Sequence, residues 1–314
     1  MKRVIFQLPS PFIEKIKRIY PSSYPRILES FCQKKLHTFR INYLKIDLSK
    51  LRKELQKEKI RYRELSWPKG SFVLHSNLRE LQRSYIYQKG FIYVQNISSM
   101  IPPILLSPQK GEKILDMCAA PGAKTTQIAS LVADNAQIVA VEKIRTRFYK
   151  LLANLKIQGT NCVKPLLIDG IRIRNKFPDY FDKILLDAPC SCEGLFYVNN
   201  PHSFKYWKER KVKEMVHKQK KLLSSAIYAL KEGGILVYST CTFSPEENEE
   251  VIDWALKKFE GNIRVVPISI PLKNVRRGLE RWRDKYFSPQ LELCLRIIPN
   301  RFMEGFFIAK LMKE

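Results

Sequence analysis

ILDMCAAPGAKTTQIASLV, residues 114–132, reads as a strand, a tight turn of small residues and a helix in immediate succession. Ile114 and Leu115 form the end of a buried parallel strand, Pro121 and Gly122 punctuate a turn of small residues, and Ile128, Leu131 and Val132 recur at helical spacing. A strand that passes through small residues straight into a helix is where α/β folds seat nucleotide-like cofactors. The first turn of such a helix has backbone N–H groups without partners and carries a partial positive charge. Ala119, Ala120 and Gly122 let a ligand approach the backbone closely. The turn is not a Walker phosphate cradle, because Cys118 and Ala123 stand where that pattern needs glycines ahead of Lys124 and Thr125. The dinucleotide fingerprint is absent as well.

Working outward, Gln137 to Glu142 reads as a second strand, and Glu142 sits where α/β folds hold ribose hydroxyls. A helix carrying Phe148, Leu151, Leu152 and Leu155 follows, then strands ending at Asp169 and at Asp187. Val212 to Leu230 is a long helix, Ile235 to Thr240 a further strand, and Leu291 to Met312 an antiparallel pair that closes the sheet. Strands alternating with helices predict a mainly parallel sheet, and the acids and cysteines of interest fall at the strand ends that bind ligands. Ahead of it, Pro11 to Lys34 predicts two short helices separated by Pro21 and Pro25, a surface module with Lys15, Lys17, Arg18 and Lys34 in water. Thr38 to Leu44 alternates Phe39, Ile41 and Tyr43 with Arg40 and Asn42, the period of a half-buried strand. Asp47 or Ser49 caps a helix whose apolar face is Leu48, Leu51 and Leu55, and strands return at 71–75 and 91–95. The chain divides into an α+β domain, residues 1–95, and an α/β domain, residues 96–314.

Lys and Arg outnumber Asp and Glu by 56 to 30, a formal charge of +26 and a pI near 9.8, which points to a polyanionic partner. The opening MKRVIFQLPSPF lacks the apolar core of a signal peptide, and no run has the length of a membrane span. A cytoplasmic protein with no membrane partner is expected. Seven scattered cysteines fit no disulfide framework, and Cys190 and Cys192 are too closely spaced for the usual zinc pair, so free thiols and no metal are expected.

Two stretches hold the chemistry, ILLDAPCSCEG (184–194) and LVYSTCTFSPEENEEV (236–251), each ending a strand with a cysteine at the ligand edge. Ser244, Pro245 and Glu247 predict a capping-box start to the next helix, fixing the loop beyond Cys241. For pyrimidine methylation, which the resemblance of these motifs to a known family implies, thiols there have a use. Carbon 5 is too weak a nucleophile unaided, so a thiolate adds to carbon 6, and a base later removes the carbon-5 proton so that the thiolate leaves. An ordinary thiol is only about 3% ionised at pH 7, so nearby positive charge should help, and Lys124 is a candidate source. Asp187 is placed to hold a proton at the pyrimidine edge.

The run DMCAAPGAKTTQ, with the PC and TC motifs after it, resembles the RNA cytosine carbon-5 methyltransferases of the Nop2/Sun and RsmB/RsmF type. The resemblance runs from about Arg40 to Lys310 and is strongest between Ile114 and Val251. It implies a class I, Rossmann-like methyltransferase with a mainly parallel seven-stranded sheet, S-adenosylmethionine as cofactor, and rRNA or tRNA as partner. It also implies that the smaller N-terminal domain binds RNA and that the protein is a monomer. Residue by residue, it implies that Cys241 of the TC motif is the nucleophile and that Cys190 of the PC motif assists release. The cofactor would be held by Cys118, Ala119, Ala120, Pro121, Gly122, Ala123 and Lys124 in the loop, and by Glu142, Arg147, Asp169 and Asp187. Cys192 replaces the glycine of the family's PCSGEG, so a positive backbone angle there would fall on a cysteine. Ala123 replaces a frequent glycine, Asn300 stands where relatives have histidine, and RsmF-type proteins continue into a further RNA-binding extension. A DNA cytosine enzyme, whose nucleophile would follow the proline, and a nonenzymatic RNA-binding assembly factor are the competing readings.

Overall fold

The computed structural model describes residues 7–314. Its centre is a nine-stranded sheet. Strands β5 (Lys113–Asp116), β6 (Gln137–Glu142), β7 (Val163–Leu167), β8 (Phe181–Asp187) and β9 (Leu230–Thr240) are parallel and lie in the order β7-β6-β5-β8-β9. The hairpin-like return predicted near the C-terminus is β14 (Leu295–Ile297) and β15 (Phe306–Lys313), with β15 antiparallel to both β9 and β14. These make the expected seven strands. Two short ones extend them, β10 (Ile263–Val265) on β15 and β11 (Val275–Arg277) on β14, while β12 (Arg281–Trp282) and β13 (Lys285–Tyr286) pair in a separate ribbon.

Period-two alternation sends successive side chains to opposite faces, which is why the central strands read as unbroken apolar runs. On β8, Leu185 joins a cluster with the helix Ile97–Leu106 and Ile128, while Ile184 and Leu186 join another with the helices Glu209–Ala229 and Glu249–Lys258.

That second cluster overturns the reading of residues 11–34 as a surface module. The helices Ser10–Ile19 and Tyr24–Ser30 place Phe12, Ile16, Ile27 and Phe31, all fully buried, in the same core as the large sheet. Phe12 meets Phe196 edge-on at 4.8 Å between ring centroids. Lys15, expected in water, is only 5% exposed; its ammonium reaches Glu193 at 2.9 Å and Ser244 at 2.6 Å. A lysine at that helical position reads as wet because the partner acid is 178 residues away.

Residues 38–94 form a second, antiparallel sheet, β2-β3-β1-β4, made from β1 (Thr38–Ile41), β2 (Tyr62–Glu64), β3 (Ser71–Leu74) and β4 (Ile92–Val94). Its own core packs Phe39 on Phe72 and takes Leu51 and Leu55 from the helix Leu48–Lys57, which Asp47 caps. The expected half-burial of β1 is also corrected, since all four of its residues are buried. Arg40 reaches the Ala123 carbonyl at 3.0 Å and the Thr126 hydroxyl at 2.8 Å, so it ties the small sheet to the cofactor-loop helix. Asn42 is satisfied by the carbonyls of Gly90 and Gln158.

Candidate active site

Strand register brings the two cysteine loops together. β8 and β9 are parallel with Asp187 opposite Ser239, so Cys190, three residues past the one, meets Cys241, two residues past the other. Their sulfurs are 3.3 Å apart. Backbone bonds from Ala188 N–H to the Ser239 carbonyl (2.8 Å) and from Gly194 N–H to the Cys241 carbonyl (2.8 Å) hold the loops side by side. Glycine is required at 194: a Cβ there would lie 2.2 Å from the Gly305 carbonyl oxygen and 2.9 Å from that of Cys241.

A cavity of about 410 Å³ runs along the carboxyl edge of the sheet. Of the residues expected to hold cofactor or do chemistry, Cys118, Ala120, Glu142, Arg147, Asp169, Asp187, Cys190 and Cys241 line it. Ala119, Pro121, Gly122, Ala123 and Lys124 are not among its lining residues. Gly122 takes φ +107° as the cap of the helix Ala123–Leu131, 3.1 Å from Leu151 at the point where a side chain would begin. Glu142 is buried; one carboxylate oxygen accepts from the Ile144 N–H at 2.8 Å, and the other lies 3.5 Å from Arg147. Arg147 also donates to the Ala120 carbonyl at 2.7 Å. The strand before Asp169 stops at Leu167, and Asp169 caps the turn after it by accepting from the Ile171 N–H.

Lys124 does not stand as a free charge for the thiols. It is taken up by Asp187 at 2.7 Å and the Ser99 hydroxyl at 2.8 Å, while the second Asp187 oxygen accepts from the Ser239 hydroxyl. Three thiols this close titrate as one unit. Hydrogen bonds from Cys190 and Cys241, then the charges of Arg147 and Lys211, pull Cys192 down. The hydrogen bonds that Cys190 makes to Cys192, and Cys241 to Cys190, push those two thiols up. The first proton lost therefore belongs to the trio. Cys192 does adopt the positive backbone angle, φ +60°, a conformation that costs a non-glycine residue roughly 1–2 kcal/mol.

The capping box expected at 244–247 does not form. The helix begins at Glu249, and Glu247 turns inward. Its carboxylate accepts from the Ser191 N–H and the Gln219 amide at 2.9 Å each and from the Ser191 hydroxyl, and that hydroxyl also meets Thr242 at 2.8 Å. One acid thus clamps the residue after Cys190 to the residue after Cys241. Ser-Pro-Glu-Glu has the spacing of a cap; only the positions of Ser191 and Gln219 show the other use. Burial, reinforced by Glu193, pushes Glu247 up to about 8. A carboxyl raised from its unfolded value of 4.5 binds more protons folded than unfolded, so its contribution to stability falls as pH rises from about 4.5 to 8. Glu247→Gln should flatten that decline. Thermal midpoints of both proteins at pH 6 and pH 8.5 check this, and equal falls in both would refute it.

A mainly parallel sheet in this strand order, with an acid ending β6 and a cofactor-sized cavity at the carboxyl edge, defines a Rossmann-like class I methyltransferase. The chain belongs to the RsmB/F family of 16S rRNA methyltransferases, which matches residues 103–312, and the N-terminal domain of 16S rRNA methyltransferase RsmF matches residues 8–97. It is 39% identical to tRNA (cytosine(49)-C(5))-methyltransferase of Pyrococcus abyssi, over 88% of each chain. It is 32% identical to ribosomal RNA small subunit methyltransferase F of Vibrio campbellii, covering 98% of this chain and 63% of that protein's length. A methyltransferase homologue from Pyrococcus horikoshii, solved by crystallography, superposes with a TM-score of 0.82 at 32% identity, over 99% of this chain and 93% of that one.

Proposed function

We propose that this chain methylates carbon 5 of a cytosine in rRNA or tRNA, as a cytoplasmic monomer, with Cys241 as nucleophile and Cys190 assisting release. The observation that carries the reading is the pair of sulfurs 3.3 Å apart at adjacent strand ends, opening on one cavity with Glu142 and Asp169. The residues present fit S-adenosylmethionine. Glu142 keeps a carboxylate oxygen with no closer partner than Arg147 at 3.5 Å, suited to a ribose hydroxyl, and Asp169 and Ile171 border the cavity at the next strand end. When bound, the cofactor supplies an electrophilic methyl group. Once its thiol proton has passed to solvent, the Cys241 thiolate bonds through sulfur to carbon 6 of the ring, which raises the electron density on carbon 5. Asp187, held by Lys124 and Ser239, presents its carboxylate to the pyrimidine edge. Cys190 serves the removal of the carbon-5 proton; the carbon–sulfur electron pair then returns to Cys241.

Among the described residues no helix is long and apolar enough to cross a membrane. We assign residues 1–95 to RNA binding on the strength of the RsmF N-terminal match and the chain's formal charge of +26. For about six phosphate contacts on a single strand, the log-log salt dependence of RNA affinity should have a slope of roughly −4. A slope near zero would make the charge ordinary surface. The target base has to leave its stack to reach both thiols, which favours a loop over a duplex.

Incubating labelled cofactor with total RNA and total DNA, then digesting to nucleosides, tests the function. The expected product is labelled 5-methylcytidine from RNA; label in deoxycytidine, or none, would support the DNA enzyme or the assembly factor. Calorimetry should show cofactor binding that Glu142→Ala weakens about 10- to 100-fold, the range for a hydrogen bond to a charged group. Unchanged affinity in a folded variant would remove Glu142 from the site.

A further inference from the structure

Cys192 enters none of the steps above, yet its sulfur lies 4.0 Å from that of Cys190, and the sulfurs of Cys190, Cys192 and Cys241 all lie within 4.8 Å of one another. We propose that these three cysteines form a site for a single soft divalent cation, zinc in the first instance, and that the occupied site holds the enzyme inactive. The sequence argued against zinc because it offers only Cys190 and Cys192, two residues apart. The third ligand arrives through the pairing of β8 with β9, which sequence spacing does not show.

Zinc–sulfur bonds of 2.3 Å in a tetrahedron place sulfurs about 3.8 Å apart. The measured triangle has one side of 3.3 Å, one of 4.0 Å and a third no longer than 4.8 Å, so small side-chain shifts suffice. An all-sulfur donor set selects soft cations over magnesium or calcium. Three protein ligands leave a fourth position open toward the cavity that all three cysteines line. Charge agrees as well: three thiolates and one divalent cation sum to −1, and Arg147 and Lys218 line the same cavity.

The frame is already built. Glu247, Ser191 and Thr242 lock the two loops together, and Gly194 pins one to the Cys241 carbonyl. Cys192 also holds its left-handed conformation at a cost that glycine would avoid, and glycine would supply no ligand. On binding, the protons still held by the thiols pass to solvent and three metal–sulfur bonds form. The Cys241 lone pair that would attack carbon 6 is then committed to the metal. Binding itself stands on geometry, whereas inhibition rests on the proposed role of Cys241, and the two have separate readouts.

The test uses the full chain, reduced and stripped of metal. Titration with cobalt(II) should give one equivalent of bound ion with a sulfur-to-cobalt charge-transfer band, lost on adding zinc and insensitive to magnesium. Stoichiometric zinc should abolish methyl transfer, and a chelator should restore it. Cys192→Gly, which suits the backbone angle, should keep methyl transfer, resist zinc at concentrations that silence the parent, and bind cobalt at least about 100-fold more weakly. Cys192→Ser, with a hard oxygen in place of sulfur, should behave the same way. Absence of the charge-transfer band, equal affinity in parent and Cys192→Gly, or loss of free thiols to a disulfide in place of metal binding would overturn the site. A bound metal that leaves methyl transfer intact would overturn the inhibition and count against Cys241 as nucleophile.

Discussion

Cys241→Ala is expected to retain cofactor and RNA binding while losing methyl transfer by on the order of 10⁴-fold or more, as removal of a covalent nucleophile does. No covalent RNA adduct should form. Cys190→Ala should behave differently because its duty falls later in the cycle. Carbon–sulfur bond formation and methylation would still proceed, and resolution would slow by roughly 10²- to 10⁴-fold, the range for loss of proton-transfer assistance. A methylated protein–RNA adduct should then accumulate and survive denaturing electrophoresis. The geometry makes the comparison clean: the sulfurs are 3.3 Å apart, so each variant leaves the other thiol at the same base. The reverse pattern, with Cys190→Ala free of adduct and Cys241→Ala trapped, would put the nucleophile after the proline, as in the DNA-enzyme reading. Adduct with neither variant would leave Cys190 without its role.

The second large effect is on stability. Arg296 is 1% exposed; its guanidinium meets both oxygens of Glu249, through Nε at 2.6 Å and through a terminal nitrogen, and also reaches the Phe243 carbonyl at 3.0 Å and the Tyr20 hydroxyl at 3.3 Å. One side chain therefore joins β14, the helix Glu249–Lys258, the loop two residues beyond Cys241 and the end of the first helix. Removing one partner of a buried ion pair strands the other, so Arg296→Ala should cost about 3–5 kcal/mol. The thermal midpoint should fall on the order of 10 °C. Replacing Arg296 and Glu249 together by Met and Leu should recover much of the loss, because the cost lies in the uncompensated charge. An unchanged midpoint in Arg296→Ala would show that the pair is not structural.

How far the sequence could be read differs with the range of the interaction. Glu142 and Asp187 were legible because each ends a strand whose apolar run is unmistakable, and parallel strands put such ends on one edge. Asp169 was placed in the cavity although its strand stops two residues earlier. Lys15, Arg40 and Glu247 differ from their local patterns for one reason: each follows the spacing of an exposed or capping residue, and each is claimed by partners 56 to 229 positions away. For Arg40, the cation–carbonyl contact with Ala123 turns what looks like the wet face of a strand into the joint between the small sheet and the helix Ala123–Leu131.

Local sequence is enough to specify the strand–turn–helix that opens the cofactor site, the parallel sheet, and the two cysteine motifs with their order along the chain. Those follow from periodicity and turn chemistry, which act over a few residues. That the helices Ser10–Ile19 and Tyr24–Ser30 belong to the large core, that Glu247 clamps the cysteine loops, and that three thiols share one corner emerges only once the chain is folded. These depend on the β8–β9 register and on burial, which bring together groups whose separation along the chain carries no local signal.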